Sequence, residues 1–279
     1  MTENLPSSAL AGVQIASKKD GSLYYRSSIT IKGRHISLGS YNSENDAHAA
    51  YLEGKGIISA AAWTLDKWKE DYILPFNKCV QLVNYRDNGV YFSTPIFLMK
   101  KYFFYYLNQN DILTFDMDDL FYYSSHTIMK RGSHLFVADY GSHISILSRY
   151  GIQAYSVAGR DFRFVNGDSS DLRYHNIEVI NHYRGVRRIS VRGLTRYKAV
   201  IHVRSNYIIG TYNTEEEAAI AYNKAADLLS QQNVRKNYEL NYLQDMSPRD
   251  YADIYASIRV SPRIRHFNSD KKYKDKQRT

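Results

Sequence analysis

The chain has 279 residues, one cysteine, 26 tyrosines and a formal net charge of +9. That length gives room for two or three small domains with buried cores, and the lone Cys79 excludes an internal disulfide. The most apolar stretch, 94–107, is interrupted by Lys100 and Lys101 and is too short to span a bilayer, so no membrane association is expected.

Residues 1–12 hold no basic region followed by an apolar run, so no signal peptide is expected, and the location expected is cytoplasmic, at the nucleoid. From Asn181 onward there are 19 Lys and Arg against 10 Asp and Glu, while the preceding part holds 18 of each, so the whole charge excess sits in the last third. A concentrated cationic surface supplies the sequence-independent part of nucleic-acid binding through phosphate contacts and counterion release. No Gly-rich phosphate loop precedes a helix and no cysteine cluster suits zinc, so no cofactor and no small-molecule substrate are expected.

The first organised stretch is 12–51, with strands expected near 12–17, 23–31 and 35–40 and a helix after them. Alternation along the second strand places Tyr24, Arg26, Ser28, Thr30 and Lys32 on an outward face, with Tyr25, Ser27, Ile29 and Ile31 inward. Lys18, Lys19, Arg34 and His35 fall near the turns. The segment LGSYNSENDAHAAY at 38–51 aligns without a gap to IGTYNTEEEAAIAY at 209–222, matching Gly39 to Gly210, Tyr41 to Tyr212, Ala47 to Ala218 and Tyr51 to Tyr222. The chain therefore contains an internal repeat. Extending the match to Arg26 and Lys198 requires one extra residue in the N-terminal hairpin turn near Gly33.

After Ser59, AAAWTLDKWKEDYILPF reads as a helix continuing to about Tyr72 and stopped before Pro75. Trp63 and Trp68 fall on different sides of such a helix, as core or docking residues meeting different neighbours. The section 77–181 reads as many short strands, as at 89–92, 97–106 and 135–140. Asp116, Asp118 and Asp119 form an acidic cluster that suits either a metal ion or the cap of the helical-looking DDLFYYSS. At 166–180, NGDSSDLRYHNIEVI resembles the C-terminal half of HNH endonucleases. That resemblance implies a histidine at Phe164 and another at Ser148, beside Arg149, and neither position is histidine, although Asn176 and the NGD turn are present. Phenylalanine neither accepts a proton nor binds a metal, so the site as aligned is expected to be inactive, with no catalytic and no metal-binding residues assigned. His126, His134, His143 and His175 lie nearby without a convincing metal-ligand spacing.

In 183–222 the pattern changes from alternation at 196–204 to an Ala-rich helical period after Thr214. Arg196, Lys198, Val200, His202 and Arg204 share one strand face, and Tyr197, Ala199, Ile201 and Val203 the other. Thr214 and Glu217 form a capping-box pattern. With YRGVR, the hairpin, IGTY and TEEEAAIAYNKAA, this stretch resembles the AP2/ERF DNA-binding domain. The resemblance implies a three-stranded sheet lying in the DNA major groove with a helix behind it. Residue by residue it implies contacts from Arg184, Arg187, Arg196, Lys198, His202 and Arg204, with Arg188 and Arg192 on the same segment. In the N-terminal copy the corresponding candidates are Lys18, Lys19, Arg26, Thr30, Lys32 and Arg34. The family's tryptophans are replaced by Leu194 or Thr195 and by Ile208, and a family arginine by Ile189, so base preference does not carry over. HNH nucleases with a C-terminal AP2 domain are a group of mobile-element enzymes, and the chain matches that order from about 113 to 243.

SPRDYADIYASIRVS, from Ser247, reads as a capped helix with Tyr251, Ile254, Tyr255 and Ile258 as an apolar stripe. The stripe suits packing on its own domain or, less commonly, dimerisation, and the basic tail from Arg263 is expected to be disordered. The fold class expected is α+β, with two AP2-like units of a three-stranded antiparallel sheet plus helix flanking a mixed HNH-like middle. The boundaries are 1–72, 73–181, 182–245 and 246–279. The function expected is sequence-specific binding of double-stranded DNA, as a bacterial or phage transcriptional regulator built on an inactivated homing-endonuclease scaffold. A homodimer is an open possibility. The alternatives are an active HNH endonuclease with a displaced site and a protein-binding inhibitor on the same scaffold.

Overall fold

Strand alternation and two tight hairpins generate the first sheet. β1 (Val13–Ser17), β2 (Leu23–Ile31) and β3 (Arg34–Tyr41) pair antiparallel in that order. The computed structural model describes residues 10–139 and 141–267. Ser27 and Ile29 of β2 are buried and Arg26 and Thr30 exposed, so one face of the sheet is closed and the other open. α1 (Glu44–Ser59) covers the closed face. Its extended N-cap Ser43 accepts from the Asp46 N–H at 3.0 Å, and Ala47, Ala50, Gly54 and Ile57 form its buried stripe. Gly54 permits the close approach, since a Cβ there would lie 3.1 Å from Leu38 Cδ1.

Where a continued helix to Tyr72 was expected, the chain instead leaves α1 at Ala60 and makes only a 3₁₀ turn at Leu65–Lys67. The reason is competition for the last carbonyls. Arg86 Nη1 donates to Ile57 O, Ala60 O and Trp63 O at 2.9–3.0 Å, and Trp68 Nε1 donates to Leu74 O. Both indoles turn onto the core of Ile29, Ile36, Leu38, Leu74, Cys79 and Leu82.

Arg86 belongs to α2 (Phe76–Asn88), a helix in the section expected to be strands. Its run from Cys79 to Tyr85 is buried on every side, which erases the amphipathic period that would have revealed it. Gly89, with φ 74, closes it in the left-handed conformation, so 89–92 is not a strand. The expected strand 97–106 is a hairpin, β4 (Ile96–Leu98) with β5 (Tyr102–Tyr106), extended by β6 (Ile112–Asp116). The acidic cluster leads into α3 (Leu120–Tyr123), with Asp119 buried. β7 (Ile128–Arg131), β8 (His134–Asp139) and β9 (Ser142–Ser145) make another three-stranded antiparallel sheet. Tyr140, at the end of the expected strand 135–140, lies outside the described residues.

The two-stranded pair β10 (Phe162–Phe164) and β11 (Ile177–Val179) precedes the last sheet, β12 (Val186–Val191), β13 (Leu194–His202) and β14 (Asn206–Tyr212). α4 (Glu215–Gln231) covers one face of that sheet, its capping box formed by Thr214 and Glu217. α5 (Pro248–Ser257) and α6 (Pro262–Arg265) complete the order. The stripe Tyr251, Ile254, Tyr255 and Ile258 packs against the core of α4 and its sheet. Residues 263–265, where the tail was expected to be disordered, instead complete α6, because Ile264 is fully buried; 268–279 lie outside the described residues. The protein is thus mixed α+β, with several small three-stranded antiparallel sheets and a few helices. Two compact units result: the chain to Ile146 with Asp168–Tyr174, and Leu147–Gly167 with the chain from His175.

The two repeats share their irregularities. A bulge falls between Ser27 and Ser28 in one and between Ala199 and Val200 in the other, and in both a glycine, Gly39 or Gly210, sits beside it. Gly12 O accepts from Ser28 N at 3.0 Å, and Gly185 O from Val200 N at 2.7 Å. The register pairs Arg26 with Ser40 and Lys198 with Thr211. The extra residue lies where the sequence required it: the partners Thr30 and His35 enclose one residue more than His202 and Asn206.

Candidate nucleic-acid interface

Cross-strand register defines the open face of the C-terminal sheet. Arg187, Lys198 and Thr211 lie in one row, Ile189 and Arg196 in the next, Val191 and Leu194 beyond them, and His202 and Asn206 at the other end. The opposite face carries Val186, Ala199, Ile201 and Ile209 into the core with α4. Leu194, Val191 and Ile208 are exposed at 58%, 41% and 53%, so the open face mixes cations with apolar side chains. No acidic side chain pairs with Arg187 or Lys198 among the described residues. Arg196 hydrogen-bonds the Asn213 side chain, and His202 Nδ1 meets Asn206 Oδ1 at 3.1 Å.

Other site residues expected from the sequence lie elsewhere. Arg188 pairs with Tyr197 on the core-side register but is exposed at the sheet edge, where its N–H donates to Asn181 Oδ1 at 2.7 Å. Arg192 occupies the β12–β13 turn with φ 53. Arg204 is not on a strand face, because β13 ends at His202 and 203–205 form the hairpin turn. Arg184 is bound to Glu239 and lies 4.4 Å from the Tyr155 ring centre. Of the two residues proposed in place of a family tryptophan, Leu194 shares the open face while Thr195 pairs with Ser190 on the opposite side.

The N-terminal sheet offers less charge. Among the described residues Arg26 is the cation on its open strand face, and it donates to Tyr24 Oη at 2.6 and 3.1 Å. Thr30 contacts His35 at 3.3 Å. Lys18 and Lys19 sit in the β1–β2 turn, lining a cleft with Tyr24, Tyr41 and Asn42. Lys32 has left the strand and takes φ 47 in the β2–β3 turn. Arg34 leaves the open face, its guanidinium 4.9 Å from the Tyr91 ring centre, because its cross-strand partner Ile31 points to the covered side.

The NGD turn is held by Asn176, whose side chain accepts from Asn166 N and whose carbonyl accepts from Val165 N, both at 2.8 Å. Phe164 pairs with Ile177, and Ser148 and Arg149 lie in the 3₁₀ turn Ile146–Tyr150. His126 stacks on Tyr122 and His143 packs on Phe136. Among the described residues no three His, Cys, Asp or Glu converge as a metal site.

A polar groove of about 430 Å³ adjoins Arg187 and His202, walled by segments the sequence did not flag, 155–161 and 236–239. Asp161 anchors the first. Burial alone would raise its pKa, but bonds from Arg160, Val157 N–H and Asn181 more than offset that and hold it below the ordinary value. Tyr155 is pushed up to about 12 chiefly by burial, against the opposing Arg184 charge.

Compared with protein-family models, curated proteins and solved structures, the chain finds no match. No helix among the described residues is long and apolar enough to cross a membrane.

Proposed function

We propose that the protein binds double-stranded DNA with sequence preference through the open face of β12–β14, as an AP2-like unit. The carrying observation is the row of Arg187 and Lys198, without acidic partners among the described residues and flanked by exposed Leu194 and Ile208 on a sheet whose other face is closed by α4. Arginine and lysine can donate to guanine edges and phosphates, and exposed aliphatic side chains can meet thymine methyls. The matching bulge, glycine and cap in β1–β3 and α1 support a second AP2-like unit, less cationic and therefore the weaker reader. In this reading the HNH-like middle is a scaffold without nuclease chemistry, and the whole acts as a transcriptional regulator at the nucleoid of a bacterium or in a phage-infected cell. Two reading units on one chain raise affinity through effective concentration.

The test is selection of bound duplexes from a random library by the full-length chain, followed by incubation of the selected duplexes with magnesium. The expected result is a discrete enriched motif and no cleavage. Enrichment with cutting would replace the inactive scaffold by an active nuclease. No enrichment, with affinity insensitive to salt, would transfer the function to a protein partner, because phosphate neutralisation always gives a steep salt dependence.

A further inference from the structure

The groove beside Arg187 carries four guanidinium or ammonium groups, Arg160, Arg184, Arg187 and Lys236, against two carboxylates, Asp161 and Glu239. The carboxylates leave the cations available to different degrees. Asp161 is engaged internally by Arg160, Val157 N–H and Asn181. Glu239, the counterion of Arg184, has a side chain 77% exposed, where water screens an ion pair strongly. Lys236 spends one donor on His202 O at 2.8 Å, and an ammonium has three. Among the described residues Arg187 has no carboxylate partner.

The aromatic surfaces argue against a flipped-out base as the occupant. The Tyr155 ring is covered by Arg184 at 4.4 Å, Tyr222 by the backbone of Gly185, and Tyr238 has Lys236 at 5.4 Å from its ring centre. Apart from the exposed Glu239 carboxylate, what the groove offers is chiefly donors and an excess of positive charge, the chemistry of an anion. The wall is also fixed in advance: Lys236 and Tyr238 both reach His202 O, and Asn241 is bonded to both backbone groups of Arg184. A preformed wall lowers the ordering cost of binding.

We propose that this groove is a phosphate-binding site, and that its phosphate is a backbone phosphodiester of the duplex lying on the open face. Arg187 and His202 belong to both surfaces, so a strand crossing the face continues into the groove. The assignment of the source rests on the DNA-binding reading; the phosphate chemistry does not.

The experiment uses the full chain and three variants, Lys236→Met, Lys236→Arg and Glu239→Gln, with thermal unfolding measured beside binding. Duplex affinity is followed against salt, and adenosine monophosphate is titrated without DNA. The expected result is that Lys236→Met weakens every duplex by the same factor, about 3- to 10-fold, and flattens the log–log salt slope by about 0.9, the effect of one phosphate contact. Lys236→Arg restores both, Glu239→Gln tightens binding to all duplexes by about 2- to 3-fold, and the ranking of sequences stays unchanged. Unaltered slopes together with adenosine monophosphate binding that Lys236→Met abolishes would overturn the backbone source and leave a site for a free phosphate ester. Unaltered slopes and no monophosphate binding would overturn the site. A wild-type chain that binds no duplex removes the DNA-binding reading; the groove then stands only if monophosphate binding is present and lost in Lys236→Met.

Discussion

Gly185 lies so close to Tyr222 that a Cβ built on it would stand 2.5 Å from the ring carbon Cδ2 and equally close to Val200 O, and Gly12 stands in the same relation to Tyr51, at 2.1 Å. Both glycines have positive φ, 74 and 77. The contact fastens the first strand of each sheet to its helix, and it recurs at matching positions of the two repeats.

Gly185→Ala is therefore expected to destabilise the second unit by about 2–4 kcal/mol, combining about 1 kcal/mol for an L-residue in the left-handed region with overpacking against ring and backbone. Gly193→Ala is the control: its φ is 78 but nothing lies within 4 Å of the added methyl, so about 1 kcal/mol is expected. Urea unfolding of both variants decides; equal losses would mean that the Tyr222 contact adds nothing.

Arg187→Ala and Lys198→Ala are expected to leave urea unfolding unchanged and to weaken selected duplexes by about 1–3 kcal/mol if the side chain meets a base. They sit next to one another on paired strands, so the double variant should depart from additivity. Unchanged affinity in both single variants would remove the open face from binding. Arg34→Ala is expected to matter little for binding, since its guanidinium lies over Tyr91.

The face of β13 was legible because alternation is local: Arg196, Lys198 and His202 follow from spacing alone, and the cap at Thr214 from residue type. Arg204 failed because the hairpin needs a three-residue turn, and Arg34 because its register partner Ile31 faces the covered side. α2 was hidden by its own burial, with Gln81 and Asn84 buried among apolar neighbours and hydrogen-bonded to Ser93 O, Val90 O and Leu98 N. The helix expected to reach Tyr72 ends early because Arg86, more than twenty residues away in sequence, takes its carbonyls. The groove residues Tyr155, Arg160, Lys236 and Glu239 come from two separated segments, and no local period joins them.

Cys79 lies fully buried in the first unit, and burial, reinforced by the Glu53 charge, pushes its thiol from 9.0 to about 12. A thiol reagent at pH 8 should leave the native protein unlabelled, and labelling under denaturant should report unfolding of that unit alone. The raised folded pKa fixes the sign of the pH effect. The contribution to stability is complete below about pH 9 and is lost as the pH rises toward 12, by at most about 1.4 kcal/mol per pH unit. Tyr41, pushed up to about 12 mainly by burial, adds to the loss above about pH 10. The urea midpoint of the first unit is expected to fall between pH 8.5 and 10.5, less so in Cys79→Ala. An equal fall in both would exclude the thiol as a source.

Asn223 and Asn241 carry the last prediction. Asn223 Nδ2 donates to Asn241 O at 2.9 Å and its Oδ1 accepts from Asn241 N at 2.8 Å, while the Asn241 side chain accepts from Arg184 N at 2.7 Å and donates to Arg184 O at 3.1 Å. Both asparagines are buried, so the bonds run in series from α4 through the segment after it to the entry of β12. Asn241→Leu leaves two backbone groups of Arg184 without partners, and Asn223→Leu does the same to Asn241. Each is expected to cost about 2–4 kcal/mol, since an unsatisfied buried group costs about 1–3 kcal/mol. Because losing either link frees the same segment, the double variant should cost less than the sum. Amide hydrogen exchange gives the local readout: the Arg184 N–H should lose protection in both single variants, whereas protection retained in Asn223→Leu would show that the Arg184 link holds without its anchor on the helix.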